Sequence, residues 1–158
     1  MTKRRCFLIG HHDAPDGLSP LLAEAIEQHI TAFGVTEFVV GHYGSFDRLA
    51  AQALAAAKER NPGIVLLVLT PYHPAERAIS MPDGFDDVLY PSGMENTPRR
   101  YAILRAHRYM VEHSDYLIAY ARYPGSNTRK LVEYAEKLSR NGRLHIVNLP
   151  AEQLTSMS

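Results

Sequence analysis

Four short stretches of this chain concentrate the residue types that grip anions or move protons. They are Gly10-His11-His12-Asp13, the run Gly41-His42-Tyr43-Gly44-Ser45-Phe46-Asp47, Thr70-Pro71-Tyr72-His73, and the run Arg122-Tyr123-Pro124-Gly125-Ser126-Asn127-Thr128. A glycine-containing turn that leads into a helix presents free backbone N–H groups at the positive end of the helix dipole, which makes it a ready anion site. The second and fourth stretches have that form, and Ser126, Asn127 and Thr128 add side-chain donors. The candidate ligand-binding residues are accordingly Gly10, His11, Gly41, Gly44, Ser45, Asp47, Gly125, Ser126, Asn127 and Thr128, with no catalytic residue singled out. Each has a plainer use. Ser45, and Ser126 or Asn127, would serve as ordinary helix caps. Asp47, in a first helical turn, either accepts a ribose hydroxyl or only complements the dipole.

Eight histidines are the one unusual count; the chain is otherwise balanced, with 17 basic and 17 acidic residues, and turns positive as they protonate. That happens below about pH 6.5. His11, His12, His42 and His73 fall in three of the four stretches, and with Asp13 they offer the nitrogen and oxygen ligands that zinc takes. No tight ligand spacing supports a metal, so no metal or cofactor is expected. Hydrogen bonding or pH-sensitive charge beside an anionic ligand is the expected use.

These stretches need elements to hold them. Cys6-Phe7-Leu8-Ile9 reads as a buried strand ending at Gly10, and Leu18 to Phe33 as a helix stopped by Gly34. Glu37 to Val40 is a second strand. Ser45 is placed to cap a helix reaching about Arg60, which Asn61-Pro62-Gly63 ends. Ile64 to Leu69 lacks polar alternation, as in a parallel strand buried on both faces. Thr70 to Gly84 carries three prolines and no periodicity, and reads as a ligand lid or a variable insertion. Asp87 to Tyr90 is a short strand. Thr97 is placed to cap a helix with Pro98 in its first turn, running to His113. Tyr116 to Tyr120, a helix from Ser126 or Asn127 to about Arg140, and a strand from Leu144 to Val147 follow. The order predicts an α/β three-layer Rossmann-like sandwich, with a mostly parallel six-stranded sheet and helices on both faces. One domain over 1–150 is expected, with 151–158 a flexible tail. In such sheets ligands bind beyond the carboxyl ends of the strands, where all four stretches fall.

The helix from Thr97 is basic, with Arg99, Arg100, Arg105 and Arg108; solvated charge is the ordinary reading, and Arg108 is carried as a candidate phosphate contact. Its core stripe is expected to be Ala102, Ile103, Ala106, Tyr109, Met110 and His113. Leu104 and Val111 lie opposite, which suggests a homodimer contact. Zero net charge gives no global pull on nucleic acid or anionic membrane, so neither is an expected partner. The apolar run after the basic start stops at Ile9, too short for a signal core or a membrane span. With the lone Cys6 excluding an internal disulfide, the expected location is the cytoplasm.

Several stretches resemble the YpsA-like family of the SLOG superfamily. Cys6 to His12 resembles its opening strand and Gly-His-Arg turn, and "GHYGSFDRLAA" (41–51) its Gly-rich turn followed by Asp and Ala-Ala. "RYMVEHSDYLIA" (108–119) resembles its most specific block, and Thr128, Tyr134 and Ala135 fall where the family has "GGT…YA". The resemblance spans nearly the whole chain. It implies a Rossmann-like sheet that binds a nucleotide or nucleotide-derived ligand, related to the Lonely guy phosphoribohydrolases and the DNA-processing protein A family. It does not by itself imply a reaction. Ser126-Asn127 stands where the family has Gly-Gly, and the hydrolases' Glu and Arg positions are Leu131 and Ala106 here.

The expected function is therefore nucleotide binding at the sheet edge, as a sensor or regulatory module. The alternative is an enzyme that cleaves or transfers at a nucleotide N-glycosidic bond. Such an enzyme needs a carboxylate beside an oxocarbenium-like centre, for which Asp47, Asp13 and Glu133 are available. A third reading is a partner-binding protein on a degenerate nucleotide fold.

Overall fold

Runs of β-branched, leucine and aromatic residues form six strands: β1 (Arg5–Gly10), β2 (Glu37–Val40), β3 (Val65–Leu69), β4 (Asp87–Leu89), β5 (Tyr116–Tyr120) and β6 (His145–Asn148). Four helices separate them: α1 (Ser19–Thr31), α2 (Ser45–Arg60), α3 (Arg99–Glu112) and α4 (Asn127–Ser139). The computed structural model describes residues 3–149, so the tail expected at 151–158 lies outside the described residues. The strands form one sheet in the order β4-β3-β2-β1-β5-β6, and every neighbouring pair is parallel. The molecule is an α/β Rossmann-like three-layer sandwich.

Alternate side chains of each central strand enter opposite halves of the core. Cys6 and Leu8 of β1, Phe38 and Val40 of β2 and Leu66 and Val68 of β3 pack with Leu22, Ile26, Leu49 and Leu54 of α1 and α2. Phe7 and Ile9, Val39, and Leu117 and Ala119 of β5 pack with Ala102, Ala106 and Met110 of α3 and Val132 and Ala135 of α4. Two covered faces explain the unbroken apolar strands. Burial also pushes the Cys6 thiol far above its ordinary range, which makes it inert.

Strand order sets the place of the site. The chain builds β1 to β4 outward on one side, then returns beyond β1 to lay down β5 and β6. The β1–β5 boundary, in register from Cys6 opposite Tyr116 to Gly10 opposite Tyr120, is the topological switch point. There the following loops part in opposite directions and leave a crevice.

Three local expectations change. Ser45 is the first residue of α2, not its cap; Gly44 precedes the helix at φ 96° with no side-chain cap, and the Ser45 N–H donates to the His12 carbonyl at 2.7 Å. Thr97 does not cap α3, because Pro98 occupies the cap position and makes no side-chain bond there. The α3 stripe is turned about its axis: Ala102, Ala106, Met110 and Val111 are buried, while Ile103 is exposed. Val111 is therefore core, and of the pair expected on the outer face only Leu104 is exposed.

Candidate ligand-binding site at the sheet edge

A cavity of about 420 Å³ opens at the switch point. Its floor is the carboxyl end of β1, and its walls are Gly41, Tyr43 and Asp47 after β2, Ile103 and His107 of α3, and Tyr123 with Ser126-Asn127-Thr128 after β5. Of the residues expected from sequence it brings together Gly10, His11, Gly41, Asp47, Ser126, Asn127 and Thr128. Gly44 does not line it, but helps line a second cavity of about 600 Å³ along α2. Arg108 lines a third space, between α3 and α4. Ser45 and Gly125 line none of these three.

The glycines divide into two kinds. A methyl group on Gly10 would sit 2.3 Å from the Phe46 ring, and one on Gly44 would sit 2.5 Å from His12 Cβ. Those glycines let protein meet protein, so packing alone already requires the missing side chain at each. Gly125 is different: φ is 77° and nothing lies within 4 Å of the position a methyl would take. Its left-handed backbone is what requires glycine, and it turns the chain into α4 beside open space. Ser126 caps that helix, its Oγ accepting the Arg129 N–H at 3.1 Å.

His11 is the pin of the site. It is buried, and its Nε2 accepts the Arg122 N–H at 2.7 Å and the Tyr123 N–H at 3.2 Å, while its ring stacks on Tyr123 at 4.2 Å between centroids. An Nε2 that accepts must be unprotonated, which places the ring proton on Nδ1. Burial holds its pKa below the ordinary value, partly offset by Asp13. His11 thus ties the β1 and β5 loops together and is not free to hold a ligand through Nε2.

The other edge histidines are also engaged separately. His42 Nδ1 meets the Leu69 carbonyl at 3.2 Å, and His73 Nδ1 accepts the Ala75 N–H at 3.0 Å. Among the described residues no three His, Cys, Asp or Glu side chains converge as a metal centre. Of the segment from Thr70 to Gly84, Pro82 and Asp83 help line the second cavity, and none of its residues lines the sheet-edge cavity.

Asp47 sits on the wall between the sheet-edge and α2 cavities. Its Oδ2 accepts the Tyr43 N–H at 2.9 Å and lies 2.9 Å from where a methyl on Gly41 would be. Glycine at 41 is what leaves room for the carboxyl. Burial pushes its pKa up to about 7, with the Tyr43 bond pulling weakly the other way. The group is thus divided between acid and carboxylate near neutral pH, a state suited to accepting or donating a hydrogen bond.

His107 is the site residue that the sequence reading missed. It lines the sheet-edge cavity from α3, 6.0 Å from Phe7 between ring centroids, and burial lowers its pKa to about 4. It stays a neutral imidazole at every ordinary pH. The signal available was its place one residue after Ala106, on the flank of the apolar face. Among the described residues no helix is long and apolar enough to cross a membrane. In comparison with known proteins, neither any family model nor any curated protein matches this chain.

Proposed function

We propose that this chain binds a nucleotide or nucleotide-derived ligand at the carboxyl edge of its sheet and works as a sensor or regulatory module. The observation that carries the reading is the single cavity at the switch point, lined by Asp47 and by Ser126-Asn127-Thr128 at the start of α4. The first phosphate lies at the α4 N-terminus, where the free N–H groups, the dipole and the Thr128 hydroxyl favour it, while the Ser126 hydroxyl is taken up by the Tyr123 carbonyl and the Arg129 N–H. Asp47 takes a ribose hydroxyl. The resemblance to the YpsA-like family supports the same ligand class. Thermal stability is to be followed against a panel of nucleotides, NAD and ADP-ribose. A true ligand at 100 times its Kd adds about 2.7 kcal/mol, and a panel without any shift refutes the proposal.

The half-buried carboxyl of Asp47, with its raised pKa, favours one second reading, cleavage or transfer at an N-glycosidic bond. Asp13 also lines the cavity, whereas Glu133 does not and pairs with Arg129 at 3.7 Å, which leaves Asp47 and Asp13 as the carboxylates for an oxocarbenium-like centre. Nucleoside monophosphates incubated with the protein should release free base at a rate that rises through about pH 7 as Asp47 ionises. Release that persists in an Asp47→Asn, Asp13→Asn double variant removes this mechanism. Self-association through α3 rests on Leu104 with Tyr101, both exposed. Leu104→Glu should then shift a dimer to monomer in light scattering, and a particle mass unchanged by it rejects the contact.

A further inference from the structure

Between α3 and α4 lies a groove of about 770 Å³ that the nucleotide reading above does not use; Tyr101 and Leu104 help line it, so a ligand held there and self-association through those two residues exclude one another. Its charged lining is Arg105, Arg108 and Lys130, with no Asp or Glu among the residues that line it. In a chain whose charges balance overall, that is a local concentration of one sign. The neighbouring acids do not line it: Glu112 accepts the hydroxyl of Tyr134, itself a lining residue, and Glu133 pairs with Arg129. Arg108 is held with its guanidinium 5.0 Å from the Tyr134 ring centroid. The Arg105 and Lys130 side chains have no hydrogen bond, ion pair or ring contact among the described residues. Asn96 and Thr97 add neutral donors on the same wall.

The groove is continuous with the sheet-edge cavity, because Leu104, His107 and Asn127 line both. The His107 ring has no hydrogen-bond partner among the described residues. A ligand whose first phosphate rests at Ser126-Asn127-Thr128 therefore meets, on the far side of Asn127, three cations and no acid. We infer that the α3–α4 groove is the subsite for an extended phosphate chain, so that the ligand is a nucleoside di- or triphosphate and not a monophosphate. This rests on the nucleotide reading of the sheet-edge cavity. Lone guanidinium and ammonium groups spread along a groove suit several phosphate oxygens better than one carboxylate.

The test is calorimetric titration with the mono-, di- and triphosphates of the four ribonucleosides, and with inorganic tripolyphosphate, against the wild type and an Arg105→Gln, Lys130→Gln double variant. Both residues are exposed, and matching melting temperatures establish that the variant folds. For at least one base, affinity should rise about tenfold with each added phosphate, the effect of one new charge-assisted contact. That rise should weaken with salt and disappear in the variant. Equal binding of all three phosphates by the wild type, or a rise that survives in the variant, overturns the inference while leaving the sheet-edge site intact. Tripolyphosphate binding when none of the nucleotides binds overturns the nucleotide reading instead, and the extended ligand with it.

Discussion

Replacing Asp47 with Asn should make the protein more stable, by an amount that depends on pH. Burial between two cavities raises the carboxyl pKa from 3.8 to about 7. Between those values the folded chain keeps a proton that the unfolded chain has released, so folding stability falls as pH rises. Below 3.8 both states are protonated, and above about 7 both are ionised and the loss is complete. At about 1.4 kcal/mol per pH unit, the ionised carboxylate costs the folded state up to about 4 kcal/mol. Water entering either cavity lowers that ceiling. Asn keeps the shape and can accept the Tyr43 N–H, yet never ionises. Urea unfolding of both proteins from about pH 4 to about pH 8 should give a difference near zero at the acid end that grows to several kcal/mol at the alkaline end. Every other titratable group is the same in both proteins, so the difference isolates Asp47. A difference that stays flat across the range, or shrinks toward alkaline pH, refutes the account of a desolvated carboxyl.

Three further expectations follow from the geometry. Gly10→Ala drives a methyl into the Phe46 ring and should cost about 1–3 kcal/mol by overpacking; Phe46→Leu in the same chain should recover part of it, and denaturation curves that superimpose with wild type contradict the contact. His107, with its pKa lowered from 6.5 to about 4, contributes stability that is full above pH 6.5 and is lost as pH falls toward 4. A His107→Leu variant should therefore unfold less steeply with acid, and identical acid limbs by circular dichroism would show that the imidazole is already solvated. Ser126→Asp should weaken nucleotide binding by at least about tenfold while moving the melting temperature little, because Asp caps as well as Ser but sets a fixed charge against the phosphate. Unchanged Kd in that variant moves the phosphate to the Gly41–Asp47 turn.

Strand positions were legible because parallel sheets bury both faces. Glu37–Val40 and Tyr116–Tyr120 emerge with the bounds their apolar runs suggest, and the gathering of four polar stretches at one edge follows from strand direction alone. What failed was helix phase and the use of glycine. On α3 the apolar residues wrap widely enough to admit two stripes, and the choice between them turns on which side meets β1. That contact buries Val111, brings His107 to the cavity, and leaves Ile103 at the cavity mouth. Gly10 and Gly44 look like phosphate-approach glycines, yet each makes room for a side chain remote in sequence, Phe46 and His12. No local pattern announces such a partner. The His11 bonds to Arg122 and Tyr123 span 111 and 112 residues, beyond the reach of any periodicity.

That span has a consequence for how the protein comes to exist. While β1 to β4 and their two helices can pair from contacts close along the chain, the cavity has no far wall until β5 returns beside β1. The late closure carries the largest loop-entropy cost in the fold. During synthesis the β1–β4 half emerges first, with the inner edge of β1 unpaired and open to other strands. On the proposed nucleotide reading, a ligand that needs both the β1 and β5 loops can bind only once that edge has been sealed. It would stabilise the completed molecule by mass action, leave the half-made one untouched, and so hold finished chains back from reopening to that aggregation-prone edge.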